Sequence, residues 1–442
     1  MQYDVIVLGS GPAGFYFAKT AAGYGKKVLL IEKDLMGGTG FRTGCLPVKN
    51  YLDGLRRARS VQEADCQDWC QATVDHGKLY QTLNRRLSSV EGLMTAQLKA
   101  LGVEIIYGEP YVKSGRQVEV DQRIYSASNL VIATGTMTNE ILGVAIDEKH
   151  ILSHKGLVAL QTLPSSMVII GGNVEGIECA SYLSGFGVKV TILAMGKELL
   201  EGTDRDLCEG TLSYIESNGG CAILNAKVTR IDDMDTDLVV TTESGERFEA
   251  EKLLITGARS GNIPKGLDFL NVALENTCLK VNDCYETSLE GVYAIGDVNG
   301  LHGMAHIALQ QGIQLADYLY AGRQPERHYE SLPRAIFTIN EIAGAGLQEG
   351  DCIERKLPYT VKEMPLEATF RGWSSEVTSG KMKLILGDDG LVLGAWMASE
   401  RASDFMGTVG LWIDRSVTLE DIKASLFIHP SMGEGLLDAS IK

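Results

Sequence analysis

Two stretches of the chain repeat one hydrophobic design. The apolar run Tyr3-Asp4-Val5-Ile6-Val7-Leu8 stops at Gly9-Ser10-Gly11-Pro12-Ala13-Gly14, and an alanine-rich stretch then leads to a second run, Lys27-Val28-Leu29-Leu30-Ile31. Short apolar runs bounded by turn residues read as buried strands, so the order is strand, turn, helix, strand. Met167-Val168-Ile169-Ile170 opens the same series again, through Gly171-Gly172-Asn173-Val174-Glu175-Gly176 to a strand at Lys189 to Leu193. Each unit closes on another buried strand and a small-residue turn, Leu130-Val131-Ile132-Ala133-Thr134-Gly135 and Leu253-Leu254-Ile255-Thr256-Gly257. A further strand, Gly291 to Ile295, runs into Gly296-Asp297, and Met304-Ala305-His306 precede a helix. The last stretch alternates strand-like Lys381 to Leu386 and Leu391 to Trp396 with helical Ser403 to Asp414. The fold class expected is α/β: two Rossmann-like dinucleotide-binding domains and a C-terminal α+β domain.

The glycines of the first turn each have a task. Gly9 makes the tight turn, Gly11 lets the backbone approach a pyrophosphate, and Gly14 lets helix and strand pack closely. The helix start then offers free N–H groups to phosphate, and Glu32 at the end of the next strand can accept from ribose hydroxyls. In the second turn Asn173 replaces the middle glycine and Ala194 stands where the ribose-binding acid belongs. Asp297, at a strand end, is placed to hold a ribityl chain.

Composition narrows the partners. With 57 acidic against 41 basic residues the net charge is -16, which repels nucleic acid and anionic membranes. Apolar runs end at glycines within a few residues, so no membrane span is expected. The sequence opens directly on a strand pattern without a basic and apolar leader, so a cytoplasmic protein is expected. Nine scattered cysteines suit reduced thiols better than a secreted disulfide framework. Cys66 and Cys70 have CxxxC spacing that can seat a metal or a disulfide.

Together these segments resemble the flavoprotein disulfide reductases, the pyridine nucleotide-disulfide oxidoreductase family, in its dihydrolipoamide dehydrogenase-like branch. The most specific piece is Gly37-Gly38-Thr39-Gly40-Phe41-Arg42-Thr43-Gly44-Cys45-Leu46-Pro47-Val48-Lys49, similar to the family's G-G-T-C-x-x-x-x-C-x-P-x-K active-site helix. By that resemblance Gly40 replaces the outer redox cysteine, while Cys45 matches the inner cysteine beside the flavin. Lys49 matches the lysine near flavin N5 and Glu178 its glutamate partner. His429-Pro430-Ser431-Met432-Gly433-Glu434 resembles the family's H-P-x-x-x-E, whose His429 and Glu434 a neighbouring subunit contributes as an acid/base pair. The resemblance implies a homodimer and catalytic residues Cys45, Lys49, Glu178, His429 and Glu434. It implies FAD held by Gly9, Gly11, Pro12, Ala13, Gly14, Glu32, Lys33, Gly38, Thr39, Lys49, Gly108, Ala133, Thr134, Gly135, Gly296, Asp297, Met304, Ala305 and His306. NAD(P)H would lie at Gly171, Gly172, Asn173, Gly176, Glu178 and Gly257. The domains implied are 1–145 and 266–328 for FAD, 146–265 for NAD(P), and 329–442 for dimerisation.

A cysteine at a helix start near a lysine is expected to have a lowered thiol pKa. With Gly40 the dithiol relay lacks its attacking thiol. The reading is an FAD-dependent NAD(P)H oxidoreductase that passes electrons to a small-molecule acceptor near Cys45. A disulfide reductase using another cysteine and a non-catalytic FAD redox sensor are the alternatives. Arg42 either favours an anionic acceptor or faces solvent. NADH is slightly favoured, because Met195 and Glu201 offer no cation and only Lys197 does, and a 2′-phosphate needs cationic clamps.

Overall fold

The computed structural model describes residues 2–63, 72–234, 237–327, 329–375 and 379–441, so Cys66 and Cys70 lie outside the described residues. Strand Gln2–Leu8 leads through the glycine turn into helix α1 (Pro12–Gly23), and strand Val28–Glu32 returns parallel to it. Gly9 has φ +99°, and a Cβ there would fall 2.5 Å from the Ala133 carbonyl oxygen, so only glycine makes this turn. Short helix α2 (Gly38–Arg42) is followed by α3 (Cys45–Glu63) and α4 (His76–Ala100). The segment resembling one active-site helix is thus two helices. Glycines at 38, 40 and 44 weaken helix propagation, and the break at Thr43-Gly44 puts Cys45 at a fresh helix start.

The first sheet runs Glu104–Tyr107, Val28–Glu32, Gln2–Leu8, Arg123–Ile132, then antiparallel through Gln117–Val120 to Tyr111–Ser114. The second unit repeats the design. Helix α5 (His154–Val158) precedes strand Ser166–Ile170, which enters α6 (Val174–Gly185) and returns as Lys189–Leu193. Its five parallel strands run Cys221–Ile223, Lys189–Leu193, Ser166–Ile170, Lys252–Ile255, Ile151–Leu152, with α7 (Arg205–Ser217) following. The chain passes between the two sheets twice, at Thr136–Thr138 and Arg259–Gly261, and these two crossings pair antiparallel. Strand Val292–Ala294 then rejoins the first sheet beside Arg123–Ile132, and α8 (Ala305–Ala321) packs on α1. A Cβ at Gly312 of α8 would lie 2.4 Å from the Ala13 carbonyl oxygen, so glycine sets how closely the two helices cross.

The C-terminal region is an antiparallel sheet ordered Arg334–Ile336, Glu341–Gly346, Val392–Ser399, Lys381–Leu386, Thr360–Pro365. The helical stretch expected over Ser403 to Asp414 divides into Ala402–Met406 and Val409–Asp414, because Gly407-Thr408 interrupts it. Lys383 of this sheet is buried and pairs with Glu349 at 2.5 Å, Asp204 at 2.9 Å and Asp206 at 3.2 Å, tying the sheet to the start of α7.

Candidate active site

The two sheets and the C-terminal region enclose a cavity of about 2170 Å³. A pocket for one small molecule occupies roughly 300–1,000 Å³, so this space suits more than one nucleotide-sized group. Its wall includes Gly9, Gly11, Pro12, Ala13, Glu32, Lys33, Gly38, Thr39, Ala133, Thr134 and Gly135 from the first unit. Gly296, Asp297, Met304, Ala305 and His306 complete that end, and Cys45, Lys49 and Glu178 line the same space.

These residues fit a dinucleotide. Gly38 sits so close to Gly11 that a Cβ on Gly38 would fall 2.8 Å from the Gly11 Cα, leaving bare backbone facing the α1 N-terminus. The Glu32 carboxylate is held by Ser10: the Ser10 N–H donates at 2.8 Å and its hydroxyl at 2.7 Å, while the Asp34 N–H donates to the other oxygen at 2.9 Å. Thr134 Oγ1 is buried without a hydrogen-bond partner, a polar atom suited to a bound group. Burial pushes the Asp297 carboxyl above the ordinary range, with Arg259 opposing. Gly14 and Gly108 lie behind the wall. A Cβ on Gly14 would collide with the Gly9 carbonyl and one on Gly108 would lie 2.5 Å from Val120 Cγ1, so both serve packing.

At the far end, Lys49 Nζ donates to Glu178 Oε2 at 2.6 Å, bringing α3 against α6. The other Glu178 oxygen accepts the Phe337 N–H at 2.8 Å, and Lys49 Nζ lies 4.4 Å from the Phe337 ring centre. Further along α3, Arg56 donates to the carbonyls of Ile339 at 3.1 Å and Thr338 at 2.5 Å and pairs with Glu341 at 2.9 Å. These bonds fix α3, and with it Cys45. Burial pushes the Glu178 carboxyl up, with Lys49 opposing.

Cys45 reverses one expectation. Its surface opens into the cavity, yet the enclosing protein pushes its thiol above the ordinary value, with Lys49 pulling down and Glu178 and Asp297 adding to the rise. Position at a helix start does not offset this desolvation, so Cys45 is a thiol at neutral pH. Arg42 lines the cavity and pairs with Glu91 of α4 at 2.9 Å, which offsets the charge it would offer an anion.

Of the second turn only Val174 and Glu175 line the cavity; Gly171, Gly172, Asn173, Gly176 and Gly257 lie outside its wall. Gly171 and Gly176 repeat the Gly9 and Gly14 contact, since a Cβ on Gly176 would meet the Gly171 carbonyl. The Asn173 side chain folds onto α6 as its N-cap, Oδ1 accepting from the Gly176 N–H at 3.0 Å. It thereby occupies an amide that a phosphate would use. Ala194 is buried and brings no carboxylate to its position.

His429 and Glu434 meet: Nδ1 stands 2.9 and 3.0 Å from the two carboxylate oxygens. The pair is absent from the wall that holds Cys45 within one chain. Several site residues escaped the sequence. Ser10, Phe337, His154, Glu175 and Arg259 come from separate segments, and no spacing joins them. Only Ser10 and Glu175, each lodged within a glycine turn, carried a local signal.

Residues 3–312 match the pyridine nucleotide-disulphide oxidoreductase family and residues 332–440 match that family's dimerisation domain. The chain belongs to this family. It is 30% identical over 453 residues to the dihydrolipoyl dehydrogenase of Bacillus subtilis, covering 100% of this chain and 96% of that one. The dihydrolipoyl dehydrogenase of Staphylococcus aureus is also 30% identical, over 458 residues covering 100% and 97%. In fold the chain is similar to the Cu(II) complex of the HOCl-induced flavoprotein disulfide reductase RclA from Escherichia coli, with TM-score 0.91, 24% identity and coverage of 100% and 99%. Membership makes the chain an FAD-dependent NAD(P)H oxidoreductase, and the dimerisation domain supports a homodimer. Among the described residues no helix is long and apolar enough to cross a membrane.

Proposed function

We propose that this enzyme delivers electrons from NADH to a small acceptor at Cys45 without a dithiol relay. The observation that carries the reading is the site around Cys45: its thiol opens into the cavity, the Lys49–Glu178 pair is intact, and Gly40 offers no second sulfur. A flavin bound in the cavity supplies the two-electron step between nicotinamide and acceptor. Lys49, fixed by Glu178 and Phe337, presents a positive charge at the flavin end. Cys45, protonated at neutral pH, donates a hydrogen bond or proton to the acceptor rather than attacking it. His429, with Nδ1 held by Glu434, keeps Nε2 for proton delivery across the dimer. NADH is slightly favoured over NADPH because Met195 and Glu201 provide no cation for a 2′-phosphate and only Lys197 lies nearby. The domain division is that implied by the sequence, 1–145 with 266–328, 146–265 and 329–442.

A second reading keeps disulfide chemistry, because Cys179 and Cys278 also line the cavity. Burial raises the Cys179 thiol well above its ordinary value, which makes it a poor attacking group. Anaerobic titration with NADH and thiol counting separates the two. The proposal expects the flavin to bleach with no new titratable thiols. Two thiols per flavin with the flavin still oxidised would establish the disulfide reading instead.

A further inference from the structure

On the cavity wall between the second nucleotide turn and Asp297 sits a polar cluster that the Cys45 site leaves unused: His154, Glu175 and Arg259, from α5, α6 and the second crossing strand. Arg259 is anchored, its Nε donating to Thr136 Oγ1 at 2.9 Å and one terminal nitrogen to the Thr136 carbonyl at 3.3 Å. Its other terminal nitrogen lies 3.4 Å from His154 Nδ1 and 3.8 Å from Glu175 Oε2. With His154 Nδ1 accepting from Arg259, the ring proton sits on Nε2. Glu175 Oε1 then has no donor: it is buried, lacks a hydrogen-bond partner, and stands 3.4 Å from that unprotonated Nδ1. A carboxylate oxygen in this state is costly unless a ligand completes it.

The position says which ligand. Glu175 lies one helical turn before Glu178 on α6, and so on the same face as the carboxylate that holds Lys49. It also belongs to the second glycine turn, so a nucleotide reaching from that turn toward Cys45 must pass it. The cluster combines an empty acceptor, Glu175 Oε1, with an imidazole donor, His154 Nε2–H. A primary carboxamide offers the complement, two N–H donors and one carbonyl acceptor. We propose that Glu175 and His154 bind the carboxamide of the nicotinamide nucleotide, with Glu175 accepting its N–H and His154 donating to its carbonyl. Both act as positioning residues for the reading given above, on which this assignment rests.

The test compares binding of NAD⁺ with that of 3-acetylpyridine adenine dinucleotide, which keeps the carbonyl and lacks the N–H, by calorimetry on the FAD-loaded protein. Wild type is expected to prefer NAD⁺ about tenfold, the size of one hydrogen bond to a charged group. Glu175→Ala should bind the two alike, Glu175→Gln should keep part of the preference through its carbonyl oxygen, and His154→Ala should weaken both nucleotides equally. A purely structural role for Glu175 would leave the preference ratio unmoved. An unchanged ratio in Glu175→Ala overturns the assignment, and if that variant loses FAD, an unchanged ratio in Glu175→Gln does so. Anaerobic reduction of the wild-type flavin is measured separately. A wild type reduced by neither NADH nor NADPH overturns the oxidoreductase reading and this assignment together, whereas a reducible wild type with an unchanged ratio overturns the assignment alone.

Discussion

Lys49→Met removes the cation that opposes the upward push of burial on the Glu178 carboxyl, and the structure sets the size of the effect. The pair spans 2.6 Å, with side chains 26% and 11% exposed. At an effective dielectric near 20 the gross attraction is about 6 kcal/mol, most of it offset by desolvation of two charges. Breaking such a pair from one side costs about 3–5 kcal/mol. An upper bound comes from the carboxyl's alternative. Glu178 can take up a proton, which for an ordinary glutamate at pH 7 costs about 3.7 kcal/mol and at pH 5 about 1 kcal/mol. The expected loss is therefore about 3 kcal/mol at pH 7 and about 1 kcal/mol at pH 5. The sign follows from a folded-state pKa raised above the unfolded one: the folded state binds the extra proton, so the deficit is small near the unfolded pKa and grows as pH rises toward the folded value. In thermal unfolding of the FAD-free chain this is a fall of roughly 5 °C at pH 7, since the shift per kcal/mol shrinks with chain length. Lys49→Met with Glu178→Gln should recover most of the loss, because the neutral amide needs no cation. A single variant as stable as wild type at pH 7, or a deficit independent of pH, would refute the reasoning.

Because the Cys45 thiol is pushed up, its alkylation by iodoacetamide should rise with pH only above the ordinary thiol range of about 8.5, and Cys45→Ser should abolish the reaction at that site. For the same reason the oxidised holoenzyme should lack a long-wavelength thiolate-to-flavin band at pH 7 and develop it as pH increases. Asn173→Gly frees the Gly176 N–H for phosphate at a cost of a few tenths of a kcal/mol in capping, and should lower the dissociation constant for NADH in a binding titration.

Much of this fold was legible because its signals are local. The two glycine turns, their flanking strands and the residues Cys45 to Lys49 are contiguous segments, and each strand expected around them is present. Glu178 was paired with Lys49 only through the family resemblance, for nothing in the spacing joins α3 to α6. The Phe337 amide that completes Glu178 and the Ser10 hydroxyl that orients Glu32 come from the tertiary arrangement. The error over Cys45 has the same origin. Helix position and a nearby lysine are readable in sequence, whereas the desolvation that outweighs them depends on what else closes over the thiol. The Glu91 carboxylate that offsets Arg42 likewise comes from a different helix, with no spacing in the sequence to join the two.

Gly40 bears on whether the missing sulfur is a matter of backbone or of chemistry. Glycine is required where φ is positive or where a Cβ would strike fixed atoms, as at Gly9. Neither holds at Gly40: it lies within α2, its φ is not positive, and a Cβ there would sit 3.3 Å from Pro12 Cγ and 3.9 Å from Ala305 Cβ. A shift of a few tenths of an ångström at Pro12 admits a side chain. Gly40→Cys should therefore fold and bind FAD. If Gly40 occupies the outer redox position, the variant should form a disulfide with Cys45, and NADH should then release two thiols per flavin where the wild type releases none. A variant that folds, holds FAD and still releases no thiols would show that position 40 is not the outer site, and the absence of a dithiol relay could no longer be argued from that glycine.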